Sequence, residues 1–368
     1  MSQGFVPPPY PYERLADIRA LCAAHDGGVI DCSIGDPFDP PSAAVVEALA
    51  SSGTERSYPP SAGTPALREE IAAWLDRRFD VEISPAKIAA CVGTKELVAS
   101  TAHYLHLRTP SKSVVLYPAI SYPTYAMGAT LGGLEAYPVP LEGGRLMLET
   151  IPAEVADRAL LLWSNSPSNP TGGLDDLAAV AEWGRARGIP VLSDECYADF
   201  TWATAPQTIL ASGVEGVLAM HSLSKRSNLA GARCGFYAGD PELVEFLRVV
   251  RQHAGLMVPG PVQRAAVVAY GDDAAVEVQR ERYLERLELA VTALSAAGYN
   301  ATLPEGAFYL WIPVPDEFDD GWAFAAELAR RTGILVSPGD LYGPDGARFV
   351  RLAAVQPSEV LSRGLARL

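Results

Sequence analysis

Between about residue 40 and residue 260, short apolar runs alternate with amphipathic stretches. The runs IAACV, SVVLYP, EAYPV, ALLLWS, PVLSDE, VLAMHS and CGFYAG have the length and Val, Leu and Ile content of buried strands. Amphipathic segments between such runs predict helices on both faces of a mostly parallel sheet. After about residue 265 the texture changes. The long helical pattern AAVEVQRERYLERLELAVTALSAAG leads to FYLWIPV, a second amphipathic helix around FAAELARRTG, and a strand in ARFVRLAAV. The expected architecture is α/β, with a mostly parallel central sheet in a large domain (41–265) and a smaller α+β domain (266–368). Residues 1–40 are too few for a domain. PPPYPYERLADIRALC reads as an extended arm followed by a helix that packs on the small domain.

Composition sharpens this picture by exclusion. A chain of 368 residues with 49% hydrophobic and 20% charged residues is globular and long enough for two cores. Its formal charge of −15 argues against nucleic-acid and anionic-membrane partners, which require a surplus of Lys and Arg. MSQGFVPPPYPYERL lacks the basic start and apolar core of a signal peptide, so the expected location is the cytoplasm. Cys22, Cys32, Cys91, Cys196 and Cys234 are scattered and odd in number, which indicates neither a disulfide framework nor a zinc site. The histidines show no metal-ligand spacing, and no metal is expected.

Polar residues and glycines gather where the predicted strands end, the place where open parallel sheets bind ligands. Gly93 and Thr94 follow IAACV, Tyr122 follows SVVLYP, Asn169 follows ALLLWS, Asp194 closes PVLSDE, and Ser222 and Lys225 follow VLAMHS. Most lysines are solvated surface cations. Lys225 instead stands just after a buried strand among small residues, which suits an amine desolvated for attack on a carbonyl cofactor. Ser222 and Arg233 flank it as anion ligands. The Gly93-Thr94 turn at a helix start adds free backbone N–H groups, although Thr94 by itself reads rather as an ordinary helix cap. Asp194 is costly to bury without a cation or proton donor and would suit a protonated ring nitrogen, or equally a buried cap. Tyr197 and Asn169 could meet the same ring's oxygen, and Tyr122 could stack on it. Each alone is also an ordinary core or turn residue.

Taken together, SNPTG, the Asp-Glu-x-Tyr after a strand, and Ser-Leu-Ser-Lys with Arg233 eight residues on resemble the class I/II aminotransferases, pyridoxal-phosphate enzymes of fold type I. IGDP, YPPSAGTPALREEIA, GTKE and FVRLA fit in the same order. The resemblance implies pyridoxal 5'-phosphate as cofactor, covalently attached to Lys225, which also shuttles the substrate's Cα proton. It implies Asp194 on the ring nitrogen, Asn169 and Tyr197 on the ring oxygen, and Ser222, Arg233, Gly93 and Thr94 on the phosphate, with Lys95 beside them. Tyr58 would reach the phosphate from a neighbouring subunit, making the protein a homodimer with shared active sites. Arg351 would clamp the substrate α-carboxylate with backbone near Gly35, and Tyr122, or by spacing Ile120, would stack on the ring. An amino donor and a 2-oxo acid acceptor would alternate in the one site.

Within the family, FVPPPYPYERL, ACVGTKELVA, LYPAISYPTYAMGA, SLSKRSNLAGARCGFYAGD and MVPGPVQRAAVVA are similar to the actinobacterial type of N-succinyldiaminopimelate transaminase of lysine biosynthesis. LPEGAFYLW and Asp36 in IGDPFD depart from that subgroup at the expected substrate mouth. Lys95 is the candidate cation for a distal carboxylate. Other amino donors (aromatic, branched-chain or aspartate), or a C–S lyase reaction, keep the same fold and cofactor. A regulatory module fused to a DNA-binding domain would need basic charge and an N-terminal helix-turn-helix, neither of which this sequence offers.

Overall fold

The computed structural model describes residues 4–50, 53–54 and 56–368. All seven apolar runs become strands of one sheet, in the order Ile88–Cys91, Gly235–Gly239, Val217–Ser222, Val191–Asp194, Ala159–Asn165, Val114–Pro118, Glu135–Val139. Only Gly235–Gly239 runs antiparallel to its neighbours. The inner strands are apolar without alternation because both faces are covered. Every residue of Ala159–Asn165 and of Val217–Ser222 is buried. On one face Ile71, Trp74, Phe236 and Tyr270 pack together; on the other, Leu97, Val98, Trp163 and Leu247. Glu135–Val139 is the exception. It is one of the two edge strands, partly exposed, and it accommodates Pro138, which has no N–H to give a further partner.

The rest of the chain builds a second core around a three-stranded antiparallel sheet of Tyr309–Pro313, Phe349–Ala353 and Ser337–Pro338. Leu287, Leu294, Phe324 and Leu361 fill this core from three helices, Asp273–Ala296, Gly321–Thr332 and Ser358–Leu365. Leu15, Ile18 and Cys22 join it from the start of the chain, so the helix Ala16–Ala24 packs against the C-terminal elements. Ile30–Asp31 then pairs in parallel with Ile334–Leu335. Further on, the Asp39 carboxylate is held by both Nη atoms of Arg286 (2.7 and 2.9 Å) and by Gln279 Nε2 (2.9 Å). That fork pins the segment after Gly35 to the long helix Asp273–Ala296, between the two cores. Among the described residues, no helix is long and apolar enough to cross a membrane.

Candidate active site

A cavity of about 240 Å³ opens at the carboxyl ends of the parallel strands. Lys225 lies in it, one turn into the short helix Leu223–Arg226 that follows Val217–Ser222. Ser222 caps that helix, its Oγ accepting from Ser224 N (3.1 Å), so the lysine's place on the turn is fixed by the strand before it. Lys225 Nζ donates to the Gly35 carbonyl oxygen. Burial pushes the ammonium's pKa down to about 8, against a partial opposing pull from Asp36. Gly35 is required where it stands, because a Cβ there would lie 2.0 Å from the Tyr309 hydroxyl.

Asp194 lines the cavity from the end of Val191–Asp194. Its carboxylate accepts from the Tyr125 phenol (2.9 Å) and from Cys196 N (3.2 Å). Burial raises its pKa. Asn165, at the end of the adjacent strand, ties two site segments together: its Nδ2 donates to Asp194 O (2.9 Å) and its Oδ1 accepts from Asn169 N (2.8 Å). Asn169 Oδ1 in turn accepts from Arg351 Nη1 (2.6 Å), which leaves the Asn169 NH2 as a donor on the cavity wall. Arg351 is 1% exposed, bonded through Nη2 to Ser33 O (2.5 Å). The rings of Tyr309 and Tyr342 lie 4.2 and 4.7 Å from its guanidinium carbon. Each Nη spends one of its two N–H bonds on Asn169 Oδ1 or Ser33 O, so the buried cation keeps donor capacity for a carboxylate. The Tyr197 and Tyr309 hydroxyls are 2.8 Å apart at the same wall.

An anion cradle closes one end. Gly93 (φ +78°) is the N-cap of Thr94–Arg108 and supplies no side-chain cap, so the helix's first N–H groups stay open. The alternative reading of Thr94 as the capping side chain is not what forms: its Oγ1 meets Cys196 Sγ at 3.2 Å. Arg233 lies directly against the glycine, since a Cβ at Gly93 would stand 2.1 Å from its Nη2. Only glycine lets the guanidinium approach the helix start so closely.

The cavity thus brings Gly35, Thr94, Lys95 and Tyr122 together with Asn169, Asp194 and Tyr197, and with Ser222, Lys225, Arg233 and Arg351. Gly93 sits behind Arg233. Ile120 packs against the second core, whereas Tyr122 lines the cavity. Tyr58 is not brought in by its own chain and stands 94% exposed. Half-buried Cys196, unlike the four buried cysteines, also reaches the site. Sequence reasoning passed over Tyr125, although it closes the same YPTY stretch that drew attention to Tyr122. It also passed over Tyr10 and Tyr12 on the N-terminal arm, which lie in a proline-rich stretch without periodic pattern.

A sequence model described as aminotransferase class I and II matches residues 28–368. The chain belongs to this family. These enzymes depend on pyridoxal phosphate and transfer amino groups. The chain is 42% identical to a probable aminotransferase of Mycobacterium tuberculosis over 98% of its own length and 85% of that protein's. It is 40% identical to the 4-dedimethylamino-4-oxo-anhydrotetracycline transaminase of Streptomyces rimosus, over 98% and 99%. A solved structure of a probable N-succinyldiaminopimelate aminotransferase from Thermus thermophilus is 30% identical, with a TM-score of 0.88 over 97% of this chain and 98% of that one. The fold is that of the type I aminotransferases, with a large mostly parallel sheet and a small antiparallel one.

The residues present fit pyridoxal phosphate. A buried amine, a buried carboxylate whose hydrogen bonds come from no cation, and a cradle of open N–H groups, Arg233 and Ser222 match its aldehyde, ring nitrogen and phosphate.

Proposed function

We propose that this aminotransferase moves an amino group between N-succinyl-LL-2,6-diaminopimelate and 2-oxoglutarate, working in the cytoplasm as a homodimer. The observation that carries this reading is that the cavity holds two cations besides Lys225 and Arg233, namely buried Arg351 and Lys95. Such a pair suits a donor with one carboxylate at the reacting carbon and another far along the chain. The Thermus neighbour's name supports the same substrate class.

Bound pyridoxal phosphate supplies an electron-poor ring that stabilises negative charge at the substrate Cα. Lys225 would attach it and then, as a free amine, take the Cα proton and return it across the cavity; a pKa near 8 suits both tasks at neutral pH. Asp194 would hold the ring nitrogen's proton, which relieves the cost of its own burial. Asn169 Nδ2 and the Tyr197 hydroxyl would donate to the ring oxygen, and Tyr122 would stack on the ring. Ser222, Arg233, the Gly93-Thr94 turn and Tyr58 of a second copy would hold the phosphate. Arg351, oriented by Ser33 and Asn169, would fix the α-carboxylate beside Lys225, with backbone near Gly35 assisting.

A second reading has its own observation. Tyr10, Tyr12, Tyr122 and Tyr309 give the cavity aromatic walls, which suit a flat polycyclic donor or ketone such as the Streptomyces relative's name describes. A donor panel separates the two. Purified holoenzyme is expected to turn over the succinylated donor with kcat/KM at least about tenfold above phenylalanine, leucine and aspartate. Preference for an aromatic or polycyclic partner would overturn the substrate while leaving the aminotransferase family intact.

A further inference from the structure

The N-terminal arm enters the cavity through two tyrosines. Tyr10 Oη accepts a hydrogen bond from Lys95 Nζ (2.8 Å), and the ammonium lies 4.5 Å from the Tyr10 ring centroid and 5.8 Å from that of Tyr122. Tyr10 is the acceptor in this bond and also meets the Tyr122 side chain in a hydrogen bond; with Lys95 and Tyr122 both acting as donors to it, Tyr10 keeps its own O–H proton, beside the two remaining N–H bonds of Lys95. A charged donor and a neutral donor at one spot form a receptor for a carboxylate, stronger than either alone. The flanking rings take conformational freedom from a flexible lysine, so less is lost when an anion binds. Two residues further on, the Tyr12 hydroxyl meets the Tyr342 hydroxyl at 3.0 Å, and the Tyr342 ring packs on the Arg351 guanidinium. The Tyr10 and Tyr12 rings are themselves 5.6 Å apart. The arm therefore reaches from Lys95 to the tyrosine that packs on Arg351.

We infer that the arm is part of the substrate-recognition apparatus: Tyr10 and Lys95 together receive the distal carboxylate of an anionic donor, and Tyr12 is a positioning residue that steadies Tyr342 against Arg351. This rests on the aminotransferase reading with an anionic donor, but not on the succinyl group. The class of ligand is a 2-amino acid with a second carboxylate several bonds from the reacting carbon.

The test uses holoenzyme and two donors of equal length, L-2-aminopimelate and its terminal amide. Wild type is expected to prefer the free carboxylate by about tenfold or more in kcat/KM. Tyr10→Phe, which keeps the ring and loses the O–H, is expected to reduce that ratio about fivefold, and Lys95→Met to abolish it. The double variant should lose no more than Lys95→Met, because the two act as one receptor. Tyr12→Phe is expected to raise KM for both donors while leaving their ratio near wild type. Cofactor absorbance and circular dichroism confirm that each variant is loaded and folded. A wild-type enzyme indifferent to the amide, or a ratio unchanged in loaded Tyr10→Phe, overturns the inference. Rejection of the succinylated donor alongside a strong carboxylate preference would instead overturn the substrate proposed above and leave the arm's role standing.

Discussion

Lys225 owes its chemistry to where its neighbours put it. Burial brings its pKa from the ordinary lysine value of 10.5 to about 8. Only the neutral amine attacks a carbonyl, so its share grows as pH rises through about 8 and saturates above. The rate of covalent cofactor attachment to stripped enzyme should therefore climb about tenfold per unit below pH 7.5 and flatten near pH 9, where an exposed lysine would still be climbing. Stopped-flow absorbance measures this directly. The same shift bears on stability. Between about pH 8 and 10.5 the unfolded chain binds this proton and the folded one does not, so this group's contribution rises with pH across that window. At this scale the sequence was most legible where chemistry is local. A lysine among small residues after an apolar run is visible in one line of text. The pairing of Lys95 with Tyr10 joins residues far apart in the chain, one of them in a segment with no periodicity, and no local pattern encodes it.

Elements decide how tightly the anion cradle closes. The helix Thr94–Arg108 starts at a glycine because Arg233 occupies the space a side chain would need. Gly93→Ala would add a Cβ in that space and strain a backbone at φ +78°, ψ 149°, costing about 1–3 kcal/mol for the conformation alone. Pyridoxal phosphate affinity, followed by fluorescence titration of the stripped enzyme, should fall at least about tenfold while the helix content holds. Unchanged affinity would remove Gly93 and Arg233 from phosphate binding. The large elements were legible because burial on two faces writes an uninterrupted apolar run. The two-residue strands Ile30–Asp31, Ile334–Leu335 and Ser337–Pro338 were not, since their extended form is set by the partner each one meets rather than by their own residues.

For the whole molecule, the outlying residue is Tyr58. It is turned to solvent, beside Pro59 and the Pro259–Pro261 start of the helix Gly260–Gly271. If a second copy of the chain receives it, mixing two crippled variants should restore activity. Tyr58→Ala and Lys225→Ala subunits, co-expressed, would give heterodimers in which one site carries both lesions and the other carries none. Recovery of kcat/KM per heterodimer toward half the wild-type value is expected. No recovery above the Tyr58→Ala homodimer would place Tyr58 outside the site. Sequence showed the motif around Tyr58, but an arrangement shared between copies leaves no periodic trace within one chain.

The antiparallel strand Gly235–Gly239 has a consequence for how the protein comes into being. It sits between Ile88–Cys91 and Val217–Ser222, so the first strand of the sheet to leave the ribosome finds its neighbour only after all the others have been made. Gly93 follows that early strand and Arg233 precedes that late one, so the phosphate cradle is assembled by the same closure. A nascent chain lacking residues 233–239 has the glycine side of that cradle without its guanidinium, however well its earlier strands have paired. Arg351 arrives later still, near the chain's end. With the roles proposed above, full affinity for pyridoxal phosphate would wait for a finished sheet, and the clamp proposed for Arg351 for the last strand made.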